Sequence, residues 1–338
     1  MTPAERVRLL SLLQKFPQQT VLVVGDFVAD EFVSGEISRV SREAPVLILR
    51  RRESRLVPGG GGNAVNNLAD LGARVLPVAA VGNDVPGKML LRYFRRKGVD
   101  TGSIERLANR TTATKTRYLA GWTHTAGQQV LRVDREPEPL SDAVLARIER
   151  RARSLIGGAD AVLFSDYGLG VVTPALARRI IGRRRRLAVT IDSRHNLLSF
   201  AGLGITAATP NEPELEAQYH TRIGADTARL VRLGERTRRR MNLEALVVTR
   251  GKDGMAVFER GRRHRFIPIY GTDQVADVTG AGDTVIAAFT LALAAGGGFY
   301  DAALLANYAG GIVVTKRGTA TVSRSELEAA VRGDTARP

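Results

Sequence analysis

The sequence predicts an α/β protein: a doubly wound, mostly parallel sheet with helices on both faces, plus a small β-sheet acting as a lid. Three observations carry this. From about residue 140 onward, apolar strand-like runs alternate with helical runs, the rhythm of a parallel sheet covered on both sides. Two earlier stretches, about 32–50 and 111–135, are β-rich and break that rhythm, which sets them apart as the lid. The composition, 44% hydrophobic and 25% charged, is that of an ordinary globular chain and excludes a disordered or fibrous one. All 338 residues are read as one domain with the lid inserted in its core.

In chain order, Thr20–Val24 is an all-apolar run ending in Gly25-Asp26, a buried strand entering a turn. Residues 32–50 alternate as half-buried strands do. Pro58 and the glycines to Gly62 read as a chain break, followed by a helix over Asn63–Leu71 closed by Gly72. Arg74–Val81 is strand-like, and Thr111–Ala120 with Gln128–Asp134 form a hairpin around Gly121–Gly127. Then come helix Leu140–Ile156, strand Ala161–Ser165, helix Pro174–Arg184, and strands Leu187–Asp192 and Ile205–Thr209. Helix Ala225–Met241, strand Ala245–Thr249 and two apolar helices, Gly282–Ala295 and Phe299–Val314, follow. Ser323 with Glu326 three residues on makes a capping box for a last helix.

With no cysteine, a disulfide framework, a zinc ribbon and a thiol nucleophile are all excluded. The longest mostly apolar stretch, Val285–Phe299, is short of the roughly 20 residues that span a bilayer. Residues 1–20 lack the pattern of a signal peptide. The expectation is a cytoplasmic protein with no membrane partner. The net charge of +16 comes from arginine, 44 of the 50 basic residues, with clusters at Arg183–Arg186, Arg238–Arg240 and Arg260–Arg265. Such a balance can mark a nucleic-acid binder. No aromatics interleave with the clusters, however, as a single-strand stacking platform requires, so they are read as solvated surface with no specific nucleic-acid partner.

The chemistry concentrates in Asp277-Val-Thr-Gly-Ala-Gly-Asp-Thr284, followed directly by an apolar helix. Gly280, Ala281 and Gly282 leave backbone N–H groups uncovered at a helix N-terminus, a natural anion site. Asp283 then sits in the first turn beside that site. A carboxylate there is electrostatically awkward unless it takes a proton from an attacking hydroxyl.

This segment resembles the C-terminal signature of the ribokinase/PfkB carbohydrate-kinase family. The resemblance implies a ribokinase-like fold, Asp283 as catalytic base, and Gly280–Gly282 as anion hole for the transferred phosphoryl group. Further family marks occur in order along the chain. Gly25-Asp26 with Asp30 resembles the substrate-hydroxyl motif; Gly59-Gly60 with Asn63 resembles the N-terminal glycine signature that approaches the sugar. Asn211 and Glu214 resemble the Asn-x-x-Glu motif associated with magnesium and phosphate, with Glu214 on the metal. Thr249, Gly251 and Gly254 resemble the nucleotide-side loop, and Asp192, Arg194 and Asn307 are placed with them on the ATP side. The implied cofactors are ATP and Mg2+, with room for a monovalent cation, and the implied assembly is a homodimer joined through the lids.

Within the family the chain is similar to the heptose-7-phosphate kinases, which phosphorylate the anomeric hydroxyl of a sugar already phosphorylated at its far end. The residues that carry this are Ser38–Val46, Thr114–Arg117, Gln128-Gln129 with Arg132 and Asp134, Ser165–Tyr167, and Gly318–Ser323. Arg39, Lys115, Arg117 and Arg132 supply a cationic lid cluster suited to a phosphate, and Asp166 joins the sugar side. Two positions depart from these relatives: Leu169 stands where they carry lysine after Asp-Tyr-x, and Asp192-Ser193-Arg194 where they carry Asp-Pro-Lys. The 15 residues after Ser323 leave no room for the nucleotidyltransferase domain of the bifunctional relatives. The reading is an ATP-dependent kinase of heptose 7-phosphate. The alternatives are another sugar or nucleoside kinase of the family and, from a different class, a non-catalytic polyanion-binding protein.

Overall fold

Residues 1–121, 128–182, 187–271 and 276–333 are described in a computed structural model. The turn expected at Gly121–Gly127 and the Arg183–Arg186 cluster therefore fall largely or wholly outside the described residues. The chain opens with α1 (Pro3–Lys15), then β1 (Thr20–Gly25), β2 (Phe27–Val40), β3 (Leu47–Gly60), α2 (Gly61–Asp70), β4 (Arg74–Gly82), α3 (Val85–Arg96) and β5 (Ile104–Leu107). It continues through β6 (Ala113–Gly121), β7 (Gln128–Arg135), α4 (Asp142–Leu155), β8 (Ala161–Asp166), α5 (Pro174–Ile181), β9 (Ala188–Ser193) and β10 (Ala207–Ala208). Last come α6 (Glu212–Tyr219), α7 (Thr227–Met241), β11 (Ala245–Thr249), β12 (Met255–Glu259), β13 (Arg265–Ile267), α8 (Ala281–Ala294), α9 (Phe299–Val313) and α10 (Arg324–Gly333).

Nine strands form the large sheet in the order β13-β12-β11-β10-β9-β8-β1-β4-β5. It is parallel from β11 to β5, and β12 and β13 close one edge antiparallel. The all-apolar strands follow from burial on both faces. On β1, Val21 and Val23 pack with α1, α2, α8 and α9, whereas Leu22 and Val24 pack with α4, α5 and α7. Between the layers, the Thr190 and Thr290 hydroxyls meet at 2.6 Å, so this buried polar pair satisfies itself.

The lid is a second, four-stranded sheet in the order β3-β2-β6-β7. It is longer than the sequence suggested. β2 begins at Phe27, and β3 runs on through Pro58 to Gly60, so the Pro58–Gly62 stretch is not a break. The glycines serve contact instead: the Gly61 N–H donates to the Asp26 carbonyl at 2.9 Å, and a Cβ on Gly61 would sit 3.1 Å from the Gly25 Cα. Three strands and the helices α1, α3 and α6 also go beyond the sequence reading. α3 starts with Val-Pro-Gly, but Pro86 in its first turn costs no hydrogen bond, and Asp84 caps it through the Gly87 N–H at 3.0 Å. β5, β12 and β13 are four, five and three residues long, the first and last at the sheet edges, and give little periodic signal. α6 has eight residues and only Leu215 buried, hence no apolar stripe. Among the described residues no helix is long and apolar enough to cross a membrane.

Candidate active site

The carboxyl ends of β1, β8, β9 and β11 converge where α8 begins, and loops beyond such ends are where ligands bind in open α/β sheets. Gly280 is the N-cap of α8 with φ +80°, and a Cβ there would lie 2.5 Å from the Asn63 amide nitrogen, so glycine is required on both counts. Asp277 holds the approach in shape, accepting from the Thr279 N–H at 2.9 Å and the Gly318 N–H at 3.0 Å. Ala281 turns its N–H back onto the Val278 carbonyl at 3.2 Å. Among the described residues the N–H groups of Gly282 and Asp283 have no such partner. A Cβ on Gly282 would meet nothing within 4 Å. The Gly280 N–H likewise has no such partner among the described residues, so open donors stand on both sides of Ala281.

Asp283 is 2% exposed in the first turn of this helix. Burial pushes its pKa up to about 7, although two donors pull the other way. The Asn63 amide donates to Oδ2 at 3.0 Å, and the Tyr167 phenol donates to Oδ1 at 2.8 Å. The same amide reaches the Gly280 carbonyl at 3.2 Å, stitching α2 to the start of α8. Desolvation, reinforced by Asp283, raises the Tyr167 phenol well above its ordinary value, so it remains a donor. Tyr167 stands within a family-like motif, but no pattern in the sequence marks it as a partner of Asp283.

Two cavities flank this centre. The larger, about 670 Å³, is lined by Asp192, Arg194, Asn211, Glu214, Thr249, Gly251, Gly254, Asn307 and Gly280–Gly282, together with Lys252. This volume is that of a small-molecule cleft. Every residue expected on the nucleotide side meets there. Asn211 caps α6 through the Glu214 N–H at 2.8 Å, and Glu214 returns a contact to the Asn211 N–H at 2.9 Å. Asn307 donates to the Pro268 carbonyl at 2.9 Å and so braces the wall. Burial and the facing Glu214 carboxylate raise Asp192 well above the usual carboxylate range; burial raises Glu214 as well.

The smaller cavity, about 230 Å³, is cationic: Lys115, Arg132, Arg135, Arg194 and His195 line it, with Asp134 and Glu136 as counter-charges. Tyr167 and Arg194 line both cavities. The Arg194 guanidinium lies 5.4 Å and the Lys115 ammonium 5.3 Å from the Tyr167 ring. Burial, then repulsion by Arg194, lowers the Lys115 pKa. Leu169 also lines this cavity. Arg135 and His195 carry no motif, and only the fold brings them here.

The remaining residues expected on the sugar line neither cavity. Asp26, 1% exposed, accepts from the N–H groups of Tyr167, Leu169 and Val171 at 2.9, 3.0 and 2.9 Å. It shapes the loop that carries Tyr167, and burial raises its pKa to about 6. Asp166 accepts from the Gly168 N–H at 2.9 Å and the Ser193 hydroxyl at 2.7 Å. Arg117 is spent on Asp30 at 2.7 Å, and Thr319 donates to the other Asp30 oxygen at 2.9 Å. Gly59 passes under that pair, since a Cβ would come within 2.4 Å of Asp30 Oδ2. Gly60 turns the chain from β3 into α2. Arg39 is exposed on β2, nine residues past Asp30 and so roughly 30 Å along the strand; the structure does not bring it to the site.

Solved structures share this architecture. The chain matches Arabidopsis thaliana ribokinase complexed with ribose and ATP at TM-score 0.71 and 20% identity, covering 93% of this chain and 99% of that one. It matches phosphofructokinase-2 from Escherichia coli in complex with potassium at TM-score 0.75 and 17% identity, covering 93% and 98%. The fold is therefore of the ribokinase-like class. The pfkB family carbohydrate kinase model matches residues 18–326, and the chain belongs to that family of ATP-dependent sugar kinases. The chain is 41% identical over 326 residues to the bifunctional protein HldE of Geobacter metallireducens. With HldE of Mesorhizobium japonicum it shares 38% identity over 324 residues. These alignments cover 96% and 94% of this chain but 65% and 63% of the relatives.

Proposed function

We propose that this protein transfers the γ-phosphoryl group of ATP to the anomeric hydroxyl of D-glycero-D-manno-heptose 7-phosphate. One observation carries the reading: a buried carboxylate, Asp283, stands at a glycine-capped helix N-terminus that lines a nucleotide-sized cavity, and it is bonded to Tyr167, which lines both that cavity and a smaller cationic one. The likeness to HldE supports the heptose, and a cavity rich in lysine and arginine suits an acceptor that already carries a phosphate.

In this reading the nucleotide lies in the larger cavity with its γ-phosphate at the Gly282 and Asp283 N–H groups. The sugar phosphate lies against Lys115, Arg132 and Arg194. Asp283 takes the proton of the attacking hydroxyl, and the helix N-terminus stabilises the charge that develops on the transferred group. A pKa near 7 suits a base that works at neutral pH. Tyr167 and Asn63 hold the carboxylate, and Asp26, Asp30 and Asp166 hold the loops that aim it.

Asp192 and Glu214 fit Mg2+: both are hard oxygen donors that repel one another without a cation between them. Magnesium sites that also take substrate phosphates need only one or two carboxylates from the protein. Bound there, Mg2+ would neutralise phosphate charge.

The lid supports a homodimer. Val40, Val46, Leu47, Leu131 and Val133 are 57%, 55%, 45%, 56% and 49% exposed on it, more apolar surface than a lone small sheet leaves bare. Cytoplasmic location and the absence of a specific nucleic-acid partner complete the reading. A screen of ATP consumption against a panel of sugars and sugar phosphates tests it. Heptose 7-phosphate should give the highest kcat/KM, and preference for an unphosphorylated sugar would overturn the acceptor assignment.

A further inference from the structure

Behind Asp283 stands a third residue that touches no cavity. We infer that Asn67, on α2, is a positioning residue for phosphoryl transfer: it locks the Asn63 side chain in the orientation that donates to the base. The inference rests on the reading of Asp283 as general base.

The amide of an asparagine has nearly the same outline either way round, so its orientation is decided by what it meets. On one side Asn63 Nδ2 meets two acceptors, Asp283 Oδ2 at 3.0 Å and the Gly280 carbonyl at 3.2 Å. On the other side Asn63 Oδ1 accepts from Asn67 Nδ2 at 3.2 Å, and the same nitrogen donates to the Asn63 backbone carbonyl at 3.0 Å. Asn67 thus presents a donor to both oxygens of Asn63. Reversing Asn63 would set nitrogen against nitrogen at Asn67 and oxygen against oxygen at Asp283. Asn63 and Asn67 are both 0% exposed, so bulk water cannot substitute for either partner.

The arrangement carries a visible cost. Asn67 Oδ1 is buried with no hydrogen-bond partner. A buried unpaired acceptor destabilises a fold, and an apolar side chain of similar size would avoid it. Ligand contact does not account for the asparagine either, because Asn67 lines neither cavity. What it does is fix the donor that faces the base.

The test is the pH dependence of kcat and KM, with ATP and heptose 7-phosphate (or the sugar best used in the panel), for Asn67→Leu, Asn63→Ala and the double variant. Losing a donor to the carboxylate raises its pKa, so the acid limb of kcat/KM should move up by about one pH unit in Asn67→Leu. At pH 7 kcat should fall about fivefold, the loss of ionised carboxylate when a pKa near 7 rises by one, while KM stays within about twofold. Because Asn67 acts through Asn63, Asn67→Leu should add almost nothing in the Asn63→Ala background. Should leucine prevent folding, Asn67→Ala carries the same expectation. An unmoved acid limb, or an effect that persists in full without Asn63, overturns the inference. Asp283→Asn run alongside separates the two levels. If it is inactive and the Asn67 profiles are unmoved, only this inference falls; if it keeps near-native turnover, the base reading falls and this one with it.

Discussion

The Tyr167 phenol donates to Asp283 Oδ1 at 2.8 Å while its ring forms part of the wall between the two cavities. A hydrogen bond to a charged group is worth roughly 1.5–3 kcal/mol. Tyr167→Phe removes a donor that favours the ionised carboxylate, so the pKa of the base should rise from about 7. The acid limb of kcat/KM should shift by about one to two pH units, with turnover recovering at alkaline pH. An unchanged profile would show that the phenol does not tune the base.

Asp283→Asn should keep the fold but lower kcat by at least ~10²-fold. It should also change how stability depends on pH. The native pKa, near 7, lies above the ordinary carboxylate range. Between the two values the folded protein holds a proton that the unfolded chain has lost. The stabilisation this gives is complete below about pH 4 and is lost as pH rises through 7. The Tm of the variant relative to the parent should therefore climb between about pH 4 and 8. A flat difference would contradict the buried, proton-holding carboxylate.

Arg194 lines both cavities, and Leu169 lines the smaller one. Arg194→Ala should raise KM for ATP and for the sugar phosphate by about ten- to a hundredfold each, the worth of a charge-assisted hydrogen bond. Leu169→Lys should be tolerated or improve activity, since it restores a charge to a cationic pocket. Unchanged KM values in Arg194→Ala would remove the guanidinium from both subsites and weaken the assignment of a phosphorylated acceptor.

Leu131 and Val133 project from the same side of β7, the side opposite Arg132 and Asp134. Leu131→Asp should convert a lid-joined dimer to monomer in sedimentation experiments at micromolar concentration. A parent protein that is monomeric and fully active there would exclude the lid as an interface.

Retention on nucleic acid should be confined to low salt and show no sequence preference. Much of the basic surface is already paired: Arg238 and Arg239 with Glu235, Arg260 with Glu244, and Arg265 with Glu259. Sequence-selective binding at physiological salt, measured by titration, would reverse this.

The core and the glycine-capped start of α8 were legible because their signals are local. An all-apolar strand such as β1 or a glycine turn opening α8 needs no distant information. The residues expected on the nucleotide side were grouped for the same reason, most of them lying at a strand end or helix start, and the larger cavity brings them together. The acceptor side was not. Asp26 and Asp166 looked like ligands because a carboxylate after a strand is common to binding and to loop-stapling, and only the three backbone donors around Asp26 distinguish them. Arg117 looked like a free cation until its strand was paired with the one carrying Asp30. Arg135, His195 and Tyr167 meet through sheet pairing and a loop, which no spacing in the chain encodes.

The wall shared by Tyr167 and Arg194 has a consequence for inhibitor chemistry. Tyr167 and Arg194 line both chambers, so a compound reaching from one to the other passes that ring and that guanidinium. A linked bisubstrate molecule of the proposed reaction would carry its bridging atoms past the Arg194 guanidinium. An anionic linker, such as a phosphonate or sulfonate, should therefore gain more than an alkyl chain of equal length.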